Sequence, residues 1–239
     1  CSMPRGKGIV FLFLSLTLAG GLWGIEKLVW PTPSTAFQKG EGFEKWVQPT
    51  GSWEPTSGLF GCVRSEGYQF HEGIDIAATA RDKKGKPTDP IYAVMDGTIL
   101  YASHKPGYSN YGRYIIIEHR EEGLRYNSLY AHLASIDAAT DAGNPAQVGQ
   151  KIGIMGHSAS NGLPLERAHL HLEFNMQLTN NFQTWYDAQK SGQRNRHGNY
   201  NGFNFIGWDP LHFYESYRRG EVTSVASYIR NQPTAVIAI

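Results

Sequence analysis

The sequence predicts an all-β, mainly antiparallel domain of sandwich or barrel-like form, and three observations carry that prediction. Six runs, Ile91 to Val94, Thr98 to Ala102, Tyr114 to His119, Leu124 to His132, Lys151 to Met155 and Leu170 to Met176, are short and rich in β-branched or aromatic residues. Gly, Asn, Asp or Pro part them, as turns require. Asp96-Gly97 falls between two of the runs, the dipeptide a tight hairpin prefers. Such spacing favours antiparallel sheets over alternating β and α units.

In chain order, Arg5 and Lys7 precede Gly8 to Ile25, an apolar run without charge. That pattern predicts an export signal or a membrane-anchoring helix within residues 1–30, with Thr17-Leu18-Ala19 or Ala19-Gly20-Gly21 as small-residue cleavage positions. Positive charge ahead of the run places everything after it outside the cytoplasm, in the periplasm or cell envelope. Residues 31–57 read as a lead-in, in which Pro31-Thr32-Pro33-Ser34-Thr35 is a linker and Phe37 to Val47 a short helix. Strands begin near Phe60, and the main domain is expected over 58–219. An insertion at 178–206 holds a helical turn, Thr184 to Lys190, and a polar surface loop, Gly192 to Asn204. Phe213 to Arg219 closes the domain as a short helix, and 220–239 reads as a tail without a motif.

Composition narrows the function. With 239 residues, 41% hydrophobic and 18% charged, the chain supports one sizeable core and argues against wholesale disorder. Its formal net charge of +1, without an arginine-rich or lysine-rich run, gives no field that would favour nucleic acid. The two cysteines, Cys1 and Cys62, flank the apolar run, so a disulfide framework is excluded and Cys62 reads as a small buried hydrophobe. No internal repeat or heptad pattern occurs.

Chemistry concentrates in two segments. His71 and Asp75 lie in FHEGIDIAA, and His169 and His171 flank one leucine in AHLHLEF. A catalytic zinc wants three ligands from His and Asp or Glu, with the fourth tetrahedral position open. His71, Asp75 and one of the later histidines meet that need. Along a strand alternate side chains share a face, so His169 and His171 point the same way, one free to bind metal and the other free for proton transfer. Two rival readings exist. His71 to Asp75 looks like a helical HExxH motif with Glu72 as general base, but Gly73 would weaken such a helix by about 1 kcal/mol. Glu173 shares the face of His171 and is an alternative ligand.

These residues resemble the lysostaphin-type, LytM-like zinc endopeptidases of the bacterial cell wall. Their HxGxD segment matches His71-Glu72-Gly73-Ile74-Asp75, their tyrosine-x-His-Leu segment matches Tyr130-Ala131-His132-Leu133, and their closing HLH strand matches His169-Leu170-His171. The likeness continues through Pro90 to Ile99, Asn110 to His119 and Val148 to Gly153, and spans about Gly58 to Tyr214. It implies a duplicated-hybrid-motif fold and one Zn2+ held by His71, Asp75 and His171. It further implies His132 and His169 as non-ligating catalytic histidines, and stem peptides or cross-bridges of peptidoglycan as substrate. Two departures are expected along the substrate groove: Leu163-Pro164-Leu165-Glu166-Arg167 within Ser158 to Ala168, and the stretch Leu178 to Ile206 ahead of Asp209-Pro210.

The alternatives are a ligand-deficient LytM-like domain that activates a separate amidase, and a zinc peptidase aimed at another secreted protein. The presence of all three ligands and both histidines favours the enzyme. His104, His119, His157, His197 and His212 read as structural. Alternation places Tyr130 on the same face as His132, packed beside the site.

Overall fold

A period of two in the hydrophobic pattern becomes, in the computed structural model, a set of twelve strands among the described residues, 28–67 and 69–233. The expected signal or anchor at 8–25 lies outside them. Among the described residues no helix is long and apolar enough to cross a membrane. The strands are β1 Val63–Arg64, β2 Gln69–Phe70, β3 Ile74–Ala77, β4 Pro90–Tyr92, β5 Gly97–Ser103 and β6 Tyr114–Glu121. They continue as β7 Leu124–Ala131, β8 Ser135–Ile136, β9 Pro145–Ala146, β10 Lys151–Ile154, β11 His169–Gln177 and β12 Phe205–Trp208. Three short helices accompany them: α1 Phe182–Ala188, α2 Pro210–Arg218 and α3 Val225–Arg230.

The main sheet runs β12-β11-β7-β6-β5-β9, and every pairing is antiparallel. One edge of β11 is shared. β3 pairs with its first half, setting His171 opposite Asp75, and β12 pairs with its second half. A small sheet, β4-β10-β8, lies apart from it.

Alternation sorts the two faces of the main sheet. Leu170, Leu172 and Phe174 of β11 join Tyr130, Ile115, Ile117, Ile74 and Ile76 in the main core, where each is fully buried. Burial of one such side chain contributes about 1.5–3 kcal/mol. The opposite face carries His169, His171, Glu173 and Asn175, all buried, above a floor of Tyr114, Ile116, Leu129 and Ala131. The insertion covers the far end of that face: Tyr200 stacks on Tyr101 at 4.8 Å, and His197 is buried against Tyr114. Gly192 to Asn204 is the surface loop expected, anchored through His197 and Tyr200.

Both ends of the described chain pack on the core. Trp30 stacks on Phe37 at 4.5 Å and meets Tyr214 edge-on at 5.0 Å, so the stretch expected as a linker is held by buried aromatics at either end. No helix forms over Phe37 to Val47. Gly40 takes a φ of +72°, only a single 3-10 turn survives at Phe43–Lys45, and Trp46 to Gln48 are drawn out as an extended partner for β3. The expected featureless tail instead contains α3, started by a Ser224 capping box, with Val225 and Tyr228 in the main core. Cys62, expected inside, is only half-buried beside the exposed β1-β2 hairpin.

His119 shows how the core constrains charge. Its Nδ1 donates to Asp96 O at 2.8 Å, its Nε2 lies 2.8 Å from Ser128 Oγ, and burial lowers its pKa to about 4. The native state thus refuses a proton that the unfolded chain accepts near pH 6.5. Stability is unaffected above that pH and falls as pH drops from about 6.5 to about 4, by about 3 kcal/mol in total from this group. The difference in denaturant stability between the native sequence and His119→Gln, followed over this window, should change by that amount. A difference independent of pH would exclude the linkage.

Candidate metal centre

Three donor atoms from distant segments meet at one point. His71 Nε2 lies 3.0 Å from Asp75 Oδ1 and 3.1 Å from His171 Nδ1, and His171 Nδ1 lies 2.9 Å from Asp75 Oδ1. His71 stands in the loop before β3, Asp75 on β3 and His171 opposite it on β11. Gly73 makes the approach possible. A Cβ at that position would sit 2.3 Å from Leu172 O and 3.0 Å from the His171 ring, so only glycine lets the loop cross β11 here. The same crossing disposes of the helical HExxH reading, because Glu72 follows His71 in a loop that leads into a strand.

Hydrogen bonds behind the rings aim the lone pairs. His71 Nδ1 donates to Leu59 O at 2.8 Å, which leaves Nε2 as the acceptor. His171 Nε2 donates to Glu173 Oε1 at 2.9 Å, which leaves Nδ1. Glu173 is thus an orienting partner of a candidate ligand and not itself a ligand. Its Oε1 also accepts from Tyr111 Oη at 2.5 Å and its Oε2 from Asn175 Nδ2 at 2.9 Å. Asp75 is likewise held from behind: Thr50 Oγ1 donates to Oδ2, and Arg64 Nη2 lies 3.2 Å from the same oxygen, leaving Oδ1 for the triangle.

Tyr111, Thr50 and Arg64 were missed by sequence reasoning. Tyr111 belongs to the Asn110-Tyr111-Gly112 stretch that the resemblance covers, and Glu173 could have been read as a partner of His171 from alternation alone. Nothing in the local sequence marks Thr50 or Arg64.

The donor set fits a tetrahedral cation. Bonds of about 2.0–2.1 Å at tetrahedral angles separate neighbouring ligand atoms by about 3.3 Å, and the triangle is within a few tenths of an ångström of that. Electrostatics agree. Burial tends to lower His171, but hydrogen bonds to, and the charges of, Asp75 and Glu173 push it up to about 10. The same two carboxylates would favour a metal cation, which would have to displace that proton to bind. Asp75 resists ionisation through its burial, yet the neighbouring imidazoles, His169 first, keep its carboxyl well below the usual range.

The other two predicted histidines border this triangle. His169 Nδ1 donates to Arg167 O at 2.7 Å, and its Nε2 lies 3.2 Å from Asp75 Oδ1. His132 Nδ1 donates to Ser158 O at 2.9 Å, and its ring stands 4.7 Å from that of His169 and 5.9 Å from that of His171. Desolvation, then the charges of His169 and His171, hold His132 well below the ordinary imidazole range.

The placing of His132 corrects the strand reading. Tyr130 is buried in the core with Val94 N donating to its Oη at 2.9 Å, and unbroken alternation would send His132 the same way. β7 instead stops at Ala131, and a φ of +61° at His132 turns the side chain toward the metal triangle. A left-handed residue other than glycine costs about 1–3 kcal/mol. The bonds from His132 N to Tyr111 O, 2.9 Å, and from Leu133 N to Arg113 O, 3.0 Å, hold the backbone there.

His104, His119, His157, His197 and His212 stand outside the cluster. Among the described residues, the single group of His, Cys, Asp and Glu donors close enough to hold a metal is His71, Asp75 and His171.

No curated protein matches the chain. Among solved structures it is similar to the catalytic domain of the prophage-encoded M23 protein EnpA of Enterococcus faecalis, with 23% identity over 54% of this chain and 79% of that one, TM-score 0.38. It is also similar to the catalytic domain of the antimicrobial peptidase lysostaphin of Staphylococcus simulans, with 20% identity over 66% and 90%, TM-score 0.41. Csd3 of Helicobacter pylori shares 19% identity over 79% of this chain and 44% of its own, TM-score 0.36. The sequence profile of Peptidase family M23 matches residues 69–184, the stretch that carries all five residues of the cluster, and through that stretch the chain is similar to this family of peptidases.

Proposed function

We propose that the protein is a zinc-dependent endopeptidase that hydrolyses peptide cross-links or bridges of bacterial peptidoglycan in the periplasm or cell envelope. One observation carries the reading: three convergent donors, His71, Asp75 and His171, have two further histidines beside them whose Nδ1 atoms are already bonded, which leaves His132 Nε2 for substrate and sets His169 Nε2 3.2 Å from Asp75 Oδ1. Zinc held by the three would supply Lewis acidity and a nucleophile usable near neutral pH.

The protein's own groups do the rest. His132, kept neutral by its surroundings, accepts a proton at Nε2 as the carbonyl is attacked and returns it to the departing amine. His169 keeps its Nδ1 proton on Arg167 O, so its Nε2, beside Asp75, donates toward the developing oxyanion only when the ring carries a second proton. Glu173 and Tyr111 keep the His171 ring from turning, and Thr50 with Arg64 keep Asp75 on one oxygen. The activator reading needs a lost ligand, and none of the five residues is missing.

The test uses the full chain in detergent: metal content by elemental analysis, then mass spectrometry of digested peptidoglycan from several wall types. About one zinc per chain is expected, with new peptide ends that vanish on chelation and return with zinc. Full zinc occupancy without any new fragment would replace this reading with the activator one.

A further inference from the structure

A cavity of about 570 Å³ opens next to backbone that supports the histidine cluster. Gly156, whose backbone bridges to His169, and Ser158, whose carbonyl accepts the His132 Nδ1 proton, both line it. Arg113 lines it too. Its backbone is fixed at both ends, N–H donating to Ser158 Oγ at 2.9 Å and the carbonyl accepting from Leu133 N at 3.0 Å. Its guanidinium has no hydrogen-bond or ion-pair partner among the described residues. Lys86 adds a second positive charge to the lining, and the carboxylate on the wall, Asp82, turns Oδ1 back to the N–H groups of Lys84 and Lys86, 2.8 and 2.9 Å away. Pro87, Pro106, Ala134 and Leu163 supply apolar wall, His157 lines it with its Nδ1 2.9 Å from Leu163 O, and Leu163 comes from the Ser158 to Ala168 segment that departs from the family pattern.

We propose that this cavity is a subsite for a free carboxylate carried by a residue flanking the scissile bond, with Arg113 as the side chain that recognises it. The proposal rests on the endopeptidase reading above. A guanidinium presents a planar fork that matches a carboxylate with two parallel bonds. A bridge of glycines has no such carboxylate; a cross-link through a diamino dicarboxylic acid does. The substrate class is therefore the second.

Three probes separate the possibilities: a cross-linked stem-peptide dimer containing meso-diaminopimelate with its free carboxylate, the same dimer with that carboxylate as the carboxamide, and pentaglycine. Turnover is measured on the zinc-loaded full chain, and binding by calorimetry on the zinc-loaded His132→Asn chain. The carboxylate dimer should be preferred over the carboxamide by about tenfold or more in kcat/KM and in affinity. Arg113→Gln should erase that preference while leaving carboxamide cleavage within about twofold, and Arg113→Lys should keep part of it.

Equal use of the two dimers, preference for pentaglycine, or an equal fall of both dimers in Arg113→Gln would overturn the subsite. Cleavage without preference leaves the endopeptidase reading standing alone. Binding that prefers the carboxylate through Arg113, with no dimer cut, keeps the subsite and removes the endopeptidase reading.

Discussion

Replacement of His171 by alanine is expected to lower zinc affinity by about 100-fold or more and to abolish hydrolysis at ordinary metal concentrations. The bound is set by comparison: loss of a hydrogen-bonded partner behind a ligand already costs about 10–100-fold, and His171 supplies a donor atom itself. The triangle would keep only His71 Nε2 and Asp75 Oδ1, which lie 3.0 Å apart. A second loss compounds the first, because Glu173 Oε1 would forfeit the proton it accepts from His171 Nε2 at 2.9 Å while remaining buried. Competition against a chromophoric chelator reads the affinity, and circular dichroism checks the fold. Asp75→Asn keeps the shape and removes the charge, so it should lie between His171→Ala and the native chain. Native affinity in His171→Ala would remove this residue from the metal centre and return Glu173 or His169 to consideration.

The second large effect separates proton transfer from metal binding. His132→Asn should leave zinc affinity close to native and reduce kcat by about 10²- to 10⁴-fold, the usual contribution of a positioned acid or base. Asparagine is the informative replacement. His132 sits at φ +61°, a conformation asparagine tolerates better than alanine does, so the change removes the imidazole with the least backbone strain. The His132 backbone bond to Tyr111 O survives the substitution. Loss of zinc in this variant would make His132 a ligand or a structural support, and an unchanged kcat would free it from proton transfer altogether.

Much of this centre is legible in the order of residues. HxGxD already places His71 and Asp75 within one short segment, and HLH places His169 and His171 on one face of a strand, because side-chain direction along an extended backbone repeats every second residue. Leu170 and Leu172 follow the same rule into the core. Of the six predicted strands, the best recovered are those with uninterrupted β-branched or aromatic runs, such as Tyr114–Glu121 and His169–Gln177. Readings based on composition fared worse. A proline-bearing lead-in became a packed aromatic segment, since Trp30 and Phe37 gain more from burial against Tyr214 than their neighbours do from being free.

What the sequence by itself determined is the donor inventory and the face on which His169 and His171 stand, because both follow from residue type and from the local geometry of a strand. The tertiary structure alone decided that His71 meets His171 across a separation of 100 residues, that Thr50 and Arg64 of an earlier segment brace Asp75, and that His132 leaves its strand through a left-handed turn. The physical reason is the reach of each cause. Alternation is carried by the bonds between adjacent residues, whereas the turn at His132 and the close crossing at Gly73 persist only because distant backbone groups, Tyr111 O and Leu172 O among them, are already in place.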